Sequence, residues 1–125
     1  MPEHKLKVLA VDDDMINLKL LKSMLMKHDR IETVLEAKNG ADAIDALKEN
    51  DDIDIILLDI IMPVMGGIEM LKIIRADEDL HQMPVIVLTT DETKKNEALE
   101  TGANGFLMKP IRAHELAEKI DQLMI

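Results

Sequence analysis

The chain contains no cysteine, no tryptophan, no tyrosine and a single phenylalanine, Phe106. Without thiols neither a disulfide frame nor a thiolate metal site can form, and the protein is indifferent to redox compartment. No apolar run approaches the ~18 residues that a membrane-spanning helix needs. Near the N-terminus the apolar stretch Val8 to Val11 runs into three acids, Asp12, Asp13 and Asp14, too early for the core of a secretory signal. Positive charge is also scarce: 15 Lys and Arg against 25 Asp and Glu give a formal net charge of −10. Nucleic acid and anionic membrane would both be repelled at long range, so neither is an expected partner, whereas a cation or another protein is. A cytoplasmic location is the default expectation.

What is present suits one folding unit. The 125 residues, 47% of them hydrophobic, suffice for a single core, and no repeat, linker or low-complexity tract divides them. Residues 1–125 are expected to form one domain. Short apolar runs alternate with longer segments of helical period, the sequence form of a βαβ array on a parallel sheet. The expected strands are Lys7 to Val11, Thr33 to Ala37, Ile53 to Leu58, Pro84 to Leu88 and Gly105 to Met108. Between them Leu18, Leu21 and Leu25 share one helical face, as do Ala43, Ile44 and Leu47, and then Ile68, Leu71 and Ile74. Asp91 is a plausible cap for a short helix ending near Gly102, and Leu116, Ile120 and Leu123 mark a last one. Strands apolar on both faces require helices on both sides of the sheet.

In such folds chemistry sits at the carboxyl ends of the strands, where the strand order reverses. Those ends carry Asp12, Asp13 and Asp14, then Asp59, then Thr89 and Thr90, then Lys109. Gathered carboxylates repel one another unless a proton, a lysine or a metal ion offsets the charge. Mg²⁺, hard and oxygen-seeking, suits such a site best, since it is commonly held by one or two carboxylates together with a phosphate. A carboxylate there can act as a nucleophile toward phosphorus.

Each residue also has an ordinary explanation. Asp14 can simply cap the first helix, and Lys109 can be a surface lysine. Thr89 is uninformative alone, Phe106 can be plain core, and the ten methionines can be gap filler. The histidines, His4, His28, His81 and His114, have no metal spacing. Asp59 fits an ordinary loop poorly, because apolar residues flank it on both sides.

The segments VLAVDDDMIN, IILLDIIMPVMGG, PVIVLTT and GANGFLMKPI resemble, in order and spacing, the motifs of the receiver domain of two-component response regulators, and the likeness spans essentially the whole chain. The resemblance implies an α/β, doubly wound, five-stranded parallel sheet of flavodoxin-like order 2-1-3-4-5. It implies a phosphoacceptor Asp59, with Mg²⁺ held by Asp12, Asp13, Asp59 and the main-chain carbonyl of Ile61. Thr89 and Lys109 would hold the phosphoryl oxygens, Thr89 and Phe106 would form the switch, and the Lys109–Pro110 bond would be cis. The donor would be a sensor histidine kinase or a phosphotransfer protein, and the output a downstream protein target, with a phosphorylation-dependent homodimer also open. Such a protein is a switch that catalyses its own phosphorylation and dephosphorylation rather than an enzyme with a separate substrate.

Gly66 and Thr90 depart from the family pattern, which often has Asp or Asn at the first and a smaller residue at the second. Ile61 and Asp91 occupy positions that tune phosphate lifetime in the family. Three rivals are weaker. A haloacid-dehalogenase-type phosphohydrolase would place its nucleophile after the first strand. A flavodoxin-like electron carrier would need a hydroxyl-rich phosphate loop where three acids stand, and a binding module that is never phosphorylated would have no use for the acceptor residues.

Overall fold

The computed structural model describes residues 5–62 and 65–124. The apolar runs become five parallel strands, β1 Leu6–Val11, β2 Ile31–Ala37, β3 Ile55–Asp59, β4 Val85–Thr89 and β5 Gly105–Met108, in the order β2-β1-β3-β4-β5. Strands β3 and β4 have no polar side to turn toward water and are buried at every position, which places them in the interior of the sheet. Strand β2 carries Glu32 and Glu36 in solvent and lies on an edge.

Helices α1 Met15–Met26 and α5 Ala113–Leu123 cover one face, burying Leu18, Leu21, Leu25, Leu116 and Ile120 against Val8, Ala10, Ile55, Leu57, Ile86 and Leu88. Helices α2 Gly40–Glu49, α3 Gly67–Ala76 and α4 Lys95–Thr101 cover the other, with Leu47, Leu71, Ile74 and Ala98 packed on Leu9, Val11, Ile56, Leu58 and Val87. The doubly wound arrangement read from the sequence is therefore observed, and its order reverses between β1 and β3. No helix among the described residues is long and apolar enough to cross a membrane.

The strand bounds differ slightly from expectation. Asp54 accepts the Lys7 N–H through its carboxylate (2.8 Å) in place of a strand carbonyl, so the β1–β3 ladder begins at Val8 and Ile55 rather than at Ile53. At the other end β3 and β4 each run one residue further, so Asp59 and Thr89 are the last residues of their strands rather than the first beyond them. The expected fourth helix is also divided: Asp91 caps a 3₁₀ turn, Glu92–Lys94, and α4 follows it.

Register then sets the level of each strand end. Val11 is opposite Leu58, Asp59 opposite Leu88, and Thr89 opposite Met108. Asp12 and Asp59 are thus level at one rim, with Thr89 one residue and Lys109 two residues further along.

Candidate functional site

Successive strand residues point to opposite faces. The odd positions of β3, Ile55 and Leu57, belong to the α1/α5 core, which assigns Asp59 to that side. Leu107 of β5 and Val8 and Ala10 of β1 lie there too, so Lys109 and Asp12 follow the same parity as Asp59. Val85 and Val87 of β4 belong to the opposite core together with Phe106, so the parity of Thr89 and Phe106 is shared with each other and not with the acids. The sequence placed these residues at one rim; the division between faces emerges only from the strand register.

Asp12 and Asp59 are buried, with 1% and 6% of their surface exposed, and are the only buried acids among the described residues. Asp12 is held from two sides: Oδ1 accepts the Asp14 N–H (2.9 Å) and Oδ2 accepts from Lys109 Nζ (3.1 Å). Lys109 Nζ also lies 3.3 Å from Asp59 Oδ1, so one ammonium joins the two buried carboxylates. Asp13 is exposed, yet one oxygen from each of Asp12, Asp13 and Asp59 lies within 4.8 Å of the others. Asp14 turns away and caps α1, accepting the Ile16 N–H (2.8 Å). Its ordinary reading is therefore the observed one.

Burial is the first cause of the Asp59 pKa, which is pushed up to about 6; Lys109 pulls it down, while the Asp12 and Asp13 carboxylates push it up further. Mutual repulsion of the acids, on which the sequence reading leaned, is thus secondary to desolvation. Burial alone would lower the Lys109 pKa, but its hydrogen bond to Asp12 and the charges of Asp59 and Asp12 more than offset this and raise it. The lysine stays an ammonium, and its single charge only partly offsets the three carboxylates. Three hard oxygen donors with unmet negative charge are a donor set that fits a divalent cation.

The remaining expected residues fall around this centre. Thr89 is buried, and its Oγ1 accepts the Asp91 N–H (3.1 Å), which leaves its own O–H to donate elsewhere. Phe106 is half-buried, with Lys95 Nζ 5.9 Å from its ring centroid. Ile61 is 61% exposed. The Lys109–Pro110 bond is cis. Gly66 caps α3 without a side-chain hydrogen bond; glycine at such a position costs only a few tenths of a kcal/mol against Asp or Asn. Gly67 is the stricter requirement, since a side chain there would overlap the Asp59 carbonyl and the Ile60 Cα.

One feature was not legible from spacing: an apolar cavity of about 410 Å³ beside the acids, lined by Asp12, Leu20, Met24, Thr90, Lys109 and Ile111 among others. Its signal in the sequence is the apolar surplus of the first helix, where Ile16 and Leu20 lie outside the buried stripe and are exposed. Thr90, one of the two departures, is exposed and forms part of that wall.

Residues 8–121 match the response regulator receiver domain. The chain belongs to this family. It is 35% identical over 123 residues to a chemotaxis protein CheY homolog of Campylobacter jejuni, covering 95% of this chain and 92% of that one. Among solved structures, chemotaxis response regulator CheY4 of Vibrio cholerae superposes with a TM-score of 0.85 at 31% identity, covering 95% of this receiver domain and 98% of CheY4. A chain from the CheX–CheY–BeF3–Mg+2 complex of Borrelia burgdorferi gives a TM-score of 0.88 at 26% identity, with 98% and 91% covered. This receiver domain is accordingly a CheY-type phosphoacceptor of two-component signalling, a switch whose acid cluster can hold a divalent metal ion.

Proposed function

We propose that Asp59 is the phosphoacceptor and that Asp12, Asp13, Asp59 and the Ile61 carbonyl hold Mg²⁺. The observation that carries this reading is a buried carboxylate at a strand end, bridged by one lysine to a second buried carboxylate and short of positive charge. Bound there, the metal would neutralise the acids and meet phosphoryl oxygens as charge develops on them. The donor is a phosphohistidine on a sensor kinase or phosphotransfer protein. An Asp59 carboxylate oxygen bonds to phosphorus as the P–N bond breaks, and the departing imidazole keeps that electron pair. Lys109 is already within reach of Asp59 and follows the incoming oxygens, and the free O–H of Thr89 donates to another. The domain also catalyses its own dephosphorylation: water admitted to the same centre attacks phosphorus, the P–O bond to Asp59 breaks, and inorganic phosphate leaves the free carboxylate behind.

The phosphoryl group brings roughly −1.5 to −2 charges and three strong acceptors. Drawing Thr89 toward them changes the space on the α2/α3/α4 side, where Phe106 packs, and so alters the surface made by α4, β5 and α5. A downstream protein, or a second copy of the chain, reads that surface. The whole chain acts as one such domain, in the cytoplasm. Incubation with Mg²⁺ and a small acyl phosphate, followed by intact mass, tests the reading: a single phosphoryl adduct is expected, and its absence would favour a module that is never phosphorylated.

The pH dependence has a definite sign. Protonated Asp59 is neither a nucleophile nor a good ligand, so both adduct formation and Mg²⁺ affinity should fall as pH drops through about 6. Without metal the opposite holds for stability. A folded pKa above the unfolded one means that this group favours folding most when protonated, and that this contribution is lost as pH rises through about 6. Asp59→Asn should therefore raise the melting temperature of the metal-free domain at pH 8 and lose that advantage near pH 4, as read by calorimetry.

A further inference from the structure

The apolar cavity beside the acids has a volume of about 410 Å³, within the roughly 300–1,000 Å³ usual for small-molecule sites. One wall is α1, where Leu20 and Met24 lie a turn apart, and the other is Ile111, just beyond Pro110. Leu21 and Leu88, 4% and 0% exposed, also line it, so it has a buried floor and is not a flat patch. Leu20, 54% exposed, stands at its mouth. Its polar lining includes Asp12 and Lys109, the same carboxylate and ammonium that pair at 3.1 Å in the acid site. Lys109 in turn lies 3.3 Å from Asp59, so the cavity is continuous with the place where a phosphoryl group must sit to meet Asp59.

We infer that this cavity takes the apolar chain of a small acyl phosphate, so that the domain prefers longer-chain acyl phosphates to acetyl phosphate as direct phosphodonors. The inference rests on the reading of Asp59 as the phosphoacceptor. A stable contact between two folded proteins covers about 800 Å² on each partner, whereas a narrow space with a buried floor suits one chain entering end-on. In the transfer an Asp59 carboxylate oxygen bonds to phosphorus as the P–O bond to the acyl group breaks. The departing carboxylate keeps that electron pair and carries its chain out of the cavity. Leu20, Met24 and Ile111 supply the apolar surface that removes the chain from water. A fully buried methylene is worth about fourfold in affinity. Hexanoyl phosphate is longer than acetyl phosphate by four methylenes, and with about half of them buried the gain is roughly tenfold. The chain is held alike before and during transfer, so the gain enters kcat/KM through KM and leaves kcat unchanged.

The test offers acetyl and hexanoyl phosphate, whose leaving carboxylates are of similar basicity, to the wild type and to Leu20→Gln with Mg²⁺ present, and follows the adduct by intact mass. Glutamine suits a helix and the position is exposed, so the fold should hold, which thermal unfolding checks. At low donor concentration hexanoyl phosphate should react roughly tenfold faster with the wild type, and about threefold or less with Leu20→Gln, while the acetyl phosphate rate stays the same in both. That pattern supports the cavity. Equal rates for the two donors, or a chain-length advantage that Leu20→Gln leaves intact, would overturn it. Unreactive analogues give a second reading by amide NMR: hexylphosphonate should shift Leu20, Met24 and Ile111 and methylphosphonate should not, and shifts that avoid these residues count against the cavity. If neither acyl phosphate yields an adduct, the fault lies with the reading of Asp59, and the phosphonate shifts still decide the cavity.

Discussion

Asp59→Asn is expected to acquire no phosphoryl group from a small acyl phosphate and Mg²⁺ under conditions in which the wild type is modified to near completion. The loss should be total rather than graded, because an amide oxygen cannot form a stable acyl phosphate. Asp13→Asn, by contrast, removes an exposed member of the cluster while leaving the buried pair and Lys109 in place. It should slow the reaction and raise the Mg²⁺ concentration needed, without abolishing the adduct. Intact mass with peptide mapping reads both. A wild-type adduct found on Asp12 instead would move the nucleophile to the end of β1 and revive the phosphohydrolase reading, since that class attacks from the first strand.

Lys109→Met is the second substitution with a large expected effect, and it should move two observables in opposite directions. The ammonium is 3.1 Å from Asp12 and 3.3 Å from Asp59, so it already occupies the charge-neutralising position that a cation would share. Removing it should tighten Mg²⁺ at pH 8, where Asp59 is ionised despite losing the group that holds its pKa down. Phosphoryl transfer should nevertheless slow by about 10²- to 10³-fold, the usual cost of losing one preorganised donor to a charge that develops during reaction. Methionine retains the stem that lines the apolar cavity, so the fold should survive. Adduct formation at the wild-type rate would mean that Lys109 is only a counterion.

Much of this was legible in the sequence because the interior of a doubly wound sheet is written as uninterrupted apolar runs. Ile55 to Leu58 and Val85 to Leu88 could lie nowhere else, and a carboxylate directly after the first of them had to reach a rim. The helical stripes of Leu18, Leu21 and Leu25, and of Leu116 and Ile120, were equally readable because they are fully buried. Strand bounds were less so, since a side chain can substitute for a strand carbonyl, as Asp54 does for Lys7. The balance of forces on Asp59 was misjudged in emphasis: spacing shows which acids converge, but only burial in three dimensions shows that desolvation outweighs their repulsion. The hydrogen bond from the Gly40 N–H to the Met65 carbonyl joins the first residue of α2 to a residue just ahead of α3, and no periodicity could bring them together.

The central claim is that the acids, Lys109 and Thr89 form one cation-dependent phosphoryl site linked to Phe106. The most direct measurement is amide NMR of the wild type with Mg²⁺ alone and with Mg²⁺ plus beryllofluoride, a phosphoryl mimic. Metal alone should shift the amides near Asp12, Asp13 and Asp59, and the mimic should extend those shifts to Thr89, Lys109 and Phe106. Shifts confined to other regions, or no response to beryllofluoride once Mg²⁺ is saturating, would contradict the account.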